Sequence, residues 1–482
     1  MYAKHCVSKH CTGKTRTRPV TDPLRTTAKY QERKHEIMSD ELGVFAQVED
    51  AIDAAYEAQK ILIRDYTTED RDRFIKAIQS AFLEIVEEET RAEFEETGYG
   101  RLDQKIVKNI GTISEAETTE SLNATVMASG KGVTVEFYAP YGLCGALTPV
   151  TNGLVTVASN TMTMLAAGNS IIFNCHPAAK LAGAKAVKLV NRSVIEAGGP
   201  ANIATMAAEP TKASLDAILE SPKVALIIGT GSEEMVKIIM KSSKKVIAAG
   251  PGNPPTIIDE TADVAKAAHW LSFAVPFENN MLCVTEKEFF VLEKVYDEFV
   301  AAMVEKGARV LTAEEAEKVT ATALIPTESG IPVANKKYVG KDANVILEAA
   351  GVTPNKDDLM LALIEVDAEH PFVIAEQMMP IIPVVKCQTF AEAVDGAVAA
   401  ERGCRHSAAI WTNDWHHALE FGKRINTSIF VQNGATVAAT GLGGTGNGSA
   451  TIATYTGEGV TTAKTFTRIR RFAMGDGGGW IL

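Results

Sequence analysis

Apolar residues recur every three to four positions over 48–63 and again over 68–97, where Phe74, Ile78, Phe82 and Ile85 fall on one face. Two amphipathic helices are predicted, the second stopped by Gly98 and Gly100. Then the rhythm changes. Four short, near-continuous apolar runs, SIIFNC (170–175), NIATMA (202–207), VALIIG (224–229) and KKVIAA (244–249), are separated by helical stretches such as AAKLAGAKAVKLVNRSVIEAG. Runs of strand length that are apolar throughout predict parallel strands covered by helices on both faces. That pattern is a doubly wound α/β unit, and such units bind nucleotides at the carboxyl ends of their strands. After PGNPPTIIDET (251–261) the alternation resumes: helix 263–273, strand EFFVLEK, helices 296–307 and 313–320, strands IIPVVK (381–386) and SAAIWT (407–412), helix 413–424. A second α/β lobe is expected. Two alternating segments, KGVTVEFYAP (131–140) and TTAKTFTRIRRFA (461–473), stand apart from both lobes. They read either as a β-flap that pairs with another subunit or as two edge strands of a lobe.

Composition fits this picture. The 482 residues are too many for one compact core, and 46% hydrophobic with 22% charged residues is the balance of a soluble globular protein. No run approaches the roughly 18 apolar residues of a membrane span, and a secretory apolar core is missing, so the expected location is the cytosol, without membrane contact. The net charge of -12 is uneven: residues 1–36 hold nine Lys or Arg against three acids. The acidic remainder argues against nucleic-acid binding by the folded body. Residues 1–43 read as a basic, flexible arm. Its doubled KHC, at His5-Cys6 and His10-Cys11, has no second ligand pair at zinc-finger spacing, so no metal site is expected. Seven scattered cysteines read as reduced thiols.

Two glycine motifs and one cysteine are candidates for chemistry. GLGGTG (441–446) has the spacing of a dinucleotide fingerprint but is followed by no helical period, so it reads as a loop. In LIIGTGSEEMVKII a strand runs through Gly229, Thr230, Gly231 and Ser232 into a helix. That turn suits either a pyrophosphate or an ordinary Ser-capped strand-to-helix connection. Cys283, in FENNMLCVTEKE, follows a polar approach formed by Glu278, Asn279 and Asn280, which suits a reactive thiolate, although unpaired cysteines are commonly buried. Cys144 and Cys175 sit in apolar runs and read as packing; Cys404 stands beside Arg405 and His406.

Six collinear stretches resemble the aldehyde dehydrogenase superfamily, and within it the CoA-acylating branch typified by propionaldehyde dehydrogenases of the bacterial microcompartments that degrade 1,2-propanediol. They are YGLCGALTPVTNGLVTVASNTMTMLAAGNSIIFNCHPAAK, KKVIAAGPGNPPTIIDETADVAKAA, ENNMLCVTEKE, NKKYVGKDANVILEAAG, EQMMPIIPVVK and TIATYTGEGVTTAKTFTRIRR, spanning about residues 44 to 472. The resemblance implies an aldehyde dehydrogenase-like fold: a NAD-binding domain from 44–130 and 141–256, a catalytic domain from 257–440, and an oligomerisation flap from 131–140 and 461–473. It places Cys283 on the nucleophile, Asn152 on the oxyanion-hole asparagine, Glu376 on the nicotinamide-ribose glutamate, and Pro149 and Gly229 to Ser232 on cofactor contacts. His176 stands where hydrolytic members have an adenosine-ribose lysine. His406 matches a histidine of acylating members, where it either assists CoA deprotonation or is structural.

The chemistry implied is attack of Cys283 on an aldehyde, oxidation of the adduct by NAD, and transfer of the acyl group. Hydrolytic members keep a glutamate in a Glu-Leu-Gly-Gly-Lys segment to activate water; here the segment reads AAGPGNP, with Ala248 at that place. The thioester then waits for coenzyme A, and propionaldehyde, NAD and CoA would give propionyl-CoA. The alternatives are a hydrolytic enzyme using Glu278 as base, and a non-catalytic microcompartment cargo protein. The resemblance further implies a homodimer or homotetramer and residence inside a microcompartment, beside its shell proteins.

Overall fold

The computed structural model describes residues 42–328 and 330–479. Most of the basic arm and both KHC motifs lie outside the described residues. The first predicted helices form at Val48–Asp65 and Thr68–Thr97. The second opens on a capping box between Thr67 and Asp70 and ends at Gly98, whose φ of +67° favours a residue without a Cβ.

The first large sheet is parallel throughout, in the order Val44–Phe45, Ala204–Ala207, Ser170–Asn174, Leu143–Leu147, Val224–Thr230, Lys245–Ala249. The four apolar runs named above are four of its strands. The chain winds outward from Leu143–Leu147 in one direction, then returns to start again beside it at Val224–Thr230. A crevice opens at such a reversal, outside the carboxyl ends of the two strands. The helix after Leu143–Leu147, Gly153–Ala166, is buried along its whole length, which explains its apolar, period-free sequence.

The second large sheet is also parallel, in the order Arg309–Val310, Ala362–Glu365, Ile381–Cys387, Glu288–Leu292, Pro255–Ile258, Ser407–Trp411, Ile429–Gln432. Pro255–Ile258 lies near its middle, so the chain enters the second lobe before residue 257. The segment after 440 goes back: Ala453, Ala463 and Phe466 pack in the core of the first lobe, and Asn169 Nδ2 donates to the Phe466 carbonyl at 2.9 Å.

Gly132–Pro140 and Thr467–Met474 pair with each other in a separate antiparallel sheet and are not edge strands of a lobe. Two corrections follow. Residues 463–466 form a 3-10 turn, so the last strand starts only at Thr467; and a third strand, Thr125–Ser129, joins the sheet from a stretch expected in the first lobe. Cross-strand register puts Val126, Val135 and Phe472 on one face, with Phe137, Val133 and Met474 beside them. Val126 and Phe472 are 61% and 55% exposed, so that apolar face is uncovered in the single chain.

Candidate active site

The residues singled out in the sequence leave the two sheets at opposite strand ends. In the first lobe, Leu147 pairs with Asn174 on one side and Gly229 on the other. Pro149, His176 and the turn Gly229 to Ser232 therefore emerge from adjacent carboxyl ends. The turn is an open one: a Cβ at Gly231 would touch nothing nearer than Met235 at 3.5 Å. Ser232 caps the following helix through Met235 N at 3.4 Å, and Thr230 Oγ1 lies 3.0 Å from Thr451 Oγ1. His176 is exposed and caps its own turn, Nδ1 accepting from Ala178 N at 3.1 Å.

In the second lobe the candidates precede strands: Cys283 before Glu288–Leu292, Glu376 before Ile381–Cys387, His406 directly before Ser407–Trp411. The site thus stands at the amino ends of the second sheet, not at carboxyl ends as a doubly wound lobe alone predicts. Gly252 brings the three together. Its amide donates to Glu376 Oε1 at 3.1 Å, and a Cβ there would lie 2.5 Å from the Cys283 carbonyl oxygen and 2.8 Å from the His406 ring. Gly252 follows Lys245–Ala249, and Gly231 N donates to the Ala249 carbonyl at 3.2 Å, so one short segment joins the glycine turn to the cysteine.

Cys283 is partly exposed at the end of a strained turn. Glu278, Asn279 and Asn280 all have left-handed φ, 50°, 57° and 59°, at a cost of about 1–3 kcal/mol each. Asparagine side chains hold the turn: Asn279 Nδ2 donates to the Gly340 carbonyl and to Asp342, and Asn280 Nδ2 to the Val275 and Glu286 carbonyls, all at 2.9 Å. Lys287, fully buried, clamps it by donating to Asn280 O at 2.6 Å, Asn280 Oδ1 at 2.7 Å and Leu282 O at 3.0 Å.

Burial pushes the Cys283 thiol up to about 12; Glu376 adds to the rise and Lys287 opposes it. The resting sulfur is a thiol. Burial likewise pushes Lys287 down to about 8, against the pull of Glu376, and raises the Glu376 carboxyl, which Lys287 opposes.

His406 corrects one expectation. The ring is fully buried, and burial, with Lys287 adding, pushes it down to about 3, so it is neutral and no near-neutral titrating base. The Ser407 hydroxyl donates to the Val284 carbonyl at 3.2 Å, so at 3.0 Å it receives the proton of His406 Nδ1. Nε2 is left as a bare acceptor without a partner among the described residues.

Asn152 stands at the carboxyl-end turn after Leu143–Leu147, its Oδ1 accepting from Lys108 Nζ. Sequence reasoning missed this lysine and its companions. Lys108 also bonds Glu278, while Lys105 Nζ lies 3.6 Å from Glu278 and 3.8 Å from Glu93. No periodicity could have found them: on Leu102–Ser114 the buried stripe is Lys105, Asn109 and Ile113, and Val107 is exposed.

Ala248 is also corrected. Strand alternation turns it into the core with Val236 and Ile239. The inference from it survives because 249–253 (AGPGN) offers no carboxylate either. The fingerprint-like GLGGTG follows a 3-10 turn at Thr436–Thr440 and opens no helix.

The chain is similar to known proteins over most of its length. Residues 26–468 match the model of the aldehyde dehydrogenase family. An acetaldehyde dehydrogenase (acetylating) of Escherichia coli K12 is 38% identical over 438 residues, covering 90% of this chain and 93% of its own. A propionaldehyde dehydrogenase from the Clostridium phytofermentans fucose utilisation microcompartment superposes with a TM-score of 0.87 at 38% identity, over 90% of this chain and 99% of that one. A Rhodopseudomonas palustris propionaldehyde dehydrogenase, solved with bound CoA and an acylated cysteine, gives 0.87 at 34%, over 91% and 99%.

Proposed function

The chain belongs to the aldehyde dehydrogenase family, and from that premise we propose that it is a CoA-acylating aldehyde dehydrogenase, converting a short aldehyde, NAD and CoA to acyl-CoA and NADH. Its substrate in our reading is propionaldehyde. The observation that carries the acylating assignment is the approach to Cys283 by Gly252, on a segment free of acids, with Glu278 already engaged by Lys108 and Lys105. Glu376, the carboxylate nearest Cys283, accepts from Gly252 N and is given to the cofactor in this reading, and Glu278 is paired with two lysines, so neither carboxylate is committed to activating water and the acyl-enzyme persists for a thiol.

In this reading the Cys283 thiol gives up its proton to solvent as Sγ bonds to the aldehyde carbon, and the oxyanion is received by the Asn152 amide and a backbone N–H, that of Cys283. The open Gly229 to Ser232 turn, Pro149, His176 and Glu376 hold the dinucleotide, which when bound supplies the two-electron oxidation of the adduct. His406 Nε2, a buried unpaired acceptor, receives the S–H of CoA as that sulfur attacks the thioester. At its low pKa it polarises the thiol by a hydrogen bond and does not store the proton, which passes to the departing Cys283 sulfur as its bond to the acyl carbon breaks and restores the resting thiol.

The uncovered face of Val126, Phe137 and Phe472 fits a second copy of the chain, giving a homodimer or homotetramer through the small sheet. A place inside a microcompartment is proposed because a similar enzyme is described from one.

One assay tests the core of the reading. Enzyme, NAD and two- to four-carbon aldehydes are incubated with and without CoA, and NADH, acyl-CoA and free acid are followed. Turnover should require CoA, with kcat/KM highest for propionaldehyde. Steady production of free acid without CoA favours the hydrolytic alternative with Glu278 as base. A higher kcat/KM for acetaldehyde reassigns the substrate, and no NADH from any short aldehyde favours a cargo protein.

A further inference from the structure

We propose that Lys108 is a positioning residue that fixes the orientation of the Asn152 amide and ties it to the Cys283 turn. The proposal rests on the oxyanion role given to Asn152 above.

An ammonium has three donors and no acceptor, so Lys108 can meet the Asn152 side chain only through Oδ1. That contact decides the amide flip. The Nδ2 protons point away from the lysine, where their one hydrogen-bond contact among the described residues is a long 3.4 Å approach to Thr151 Oγ1. An amide whose oxygen is held and whose protons are nearly unspent is a donor kept ready for a developing negative charge.

The second partner of Lys108 is Glu278 Oε2, in the left-handed turn five residues before the nucleophile. One ammonium thus bridges the oxyanion donor of the first lobe to the nucleophile turn of the second. The surroundings hold the bridge in place. Lys105, one helical turn earlier, donates to the Thr151 carbonyl at 2.7 Å, and Glu93 Oε1 accepts from Leu154 N at 2.9 Å, so backbone groups on both sides of Asn152 are fixed. Gln104 Oε1 accepts from Glu278 N at 2.6 Å, fixing the other end.

The charged groups facing Lys108 are Glu278 from the turn, Glu93 from Thr68–Thr97 and Lys105 from its own helix. Burial pushes Lys108 down to about 8 while Glu278 pulls it back up, which leaves the ammonium dominant near neutral pH.

The test is a double-mutant cycle of Lys108→Met with Asn152→Ala, read as kcat and KM for CoA-dependent aldehyde oxidation, alongside crystal structures of the wild type and Lys108→Met. Loss of a whole oxyanion donor costs about 10²–10³ in kcat, and a misaimed one should cost about 10- to 100-fold in Lys108→Met, with aldehyde KM within about threefold. In the Asn152→Ala background the same change should cost less than about threefold, since no amide remains to orient. Equal losses in both backgrounds, or an unchanged kcat in Lys108→Met, would overturn the proposal. If Lys108→Met fails to fold because Glu278 is left short of a partner, Lys108→Met with Glu278→Gln carries the same comparison. A wild type that oxidises no short aldehyde would sink the functional reading instead. The crystallographic arm then still decides: the Asn152 side chain should leave its place in Lys108→Met, and one that stays overturns the proposal by itself.

Discussion

Cys283 should be a slow nucleophile in the resting enzyme, and the structure says by how much. Moving the thiol from its usual 9.0 to about 12 cuts the thiolate share at pH 8 from about one in ten to about one in ten thousand. A more basic thiolate is also more reactive, and a Brønsted slope of about 0.4–0.5 returns a factor of about 20. Alkylation should therefore run about 40-fold slower than for an ordinary exposed thiol at the same pH. The assay is timed reaction with iodoacetamide from pH 7 to 10.5 without cofactor, following the Cys283 peptide by mass spectrometry. Because the shift is upward, the neutral form is favoured at each pH, and the rate should climb about tenfold per pH unit across the range without levelling. A plateau below about pH 9 would show a thiolate already stabilised at rest and refute the reasoning. Glu376→Gln removes a charge that raises the thiol, so it should quicken the reaction at fixed pH.

Further outcomes follow from the same geometry. Gly252→Ala puts a methyl 2.5 Å from the Cys283 carbonyl oxygen and should lower kcat at least about tenfold, checked by steady-state kinetics. Lys287→Met strips three buried acceptors of their donor, so denaturant unfolding should show a loss of about 3–5 kcal/mol. Phe472→Asp puts a charge on the apolar face of the small sheet and should reduce the oligomer seen by light scattering; an unchanged mass would move the interface elsewhere.

What the sequence made legible was what repeats or what matches a long motif. Apolar runs such as VALIIG announce strands because both faces are buried, and a helix of thirty residues leaves a long periodic trace. The strand Leu143–Leu147 was harder to see, since LCGAL is short and holds a glycine that lets Ile218 and Ile227 come close. Pro255–Ile258 was hidden behind a proline pair that reads as a connection. At the site, Cys283 and Asn152 were reachable through motifs. Lys105, Lys108 and Lys287 were not, because a lysine is expected in water and only the meeting of distant segments supplies carboxylates and carbonyls enough to bury it. The direction of Ala248 escaped for a similar reason: alternation tells two faces apart but not which of them meets the cysteine.

The return of residues 453–466 to the first lobe sets a schedule for synthesis. The first lobe's core includes Ala453, Ala463 and Phe466, and Thr456 Oγ1 accepts from Ala248 N at 2.9 Å. A ribosome that has made every candidate catalytic residue, the last of them His406, has still not released the side chains that close this core. The nascent chain therefore carries its nucleophile out of the exit tunnel before the lobe that would hold its cofactor is complete. Oxidation of Cys283 during translation, and rescue by a separately supplied peptide spanning 450–474, become questions that can be asked of this protein.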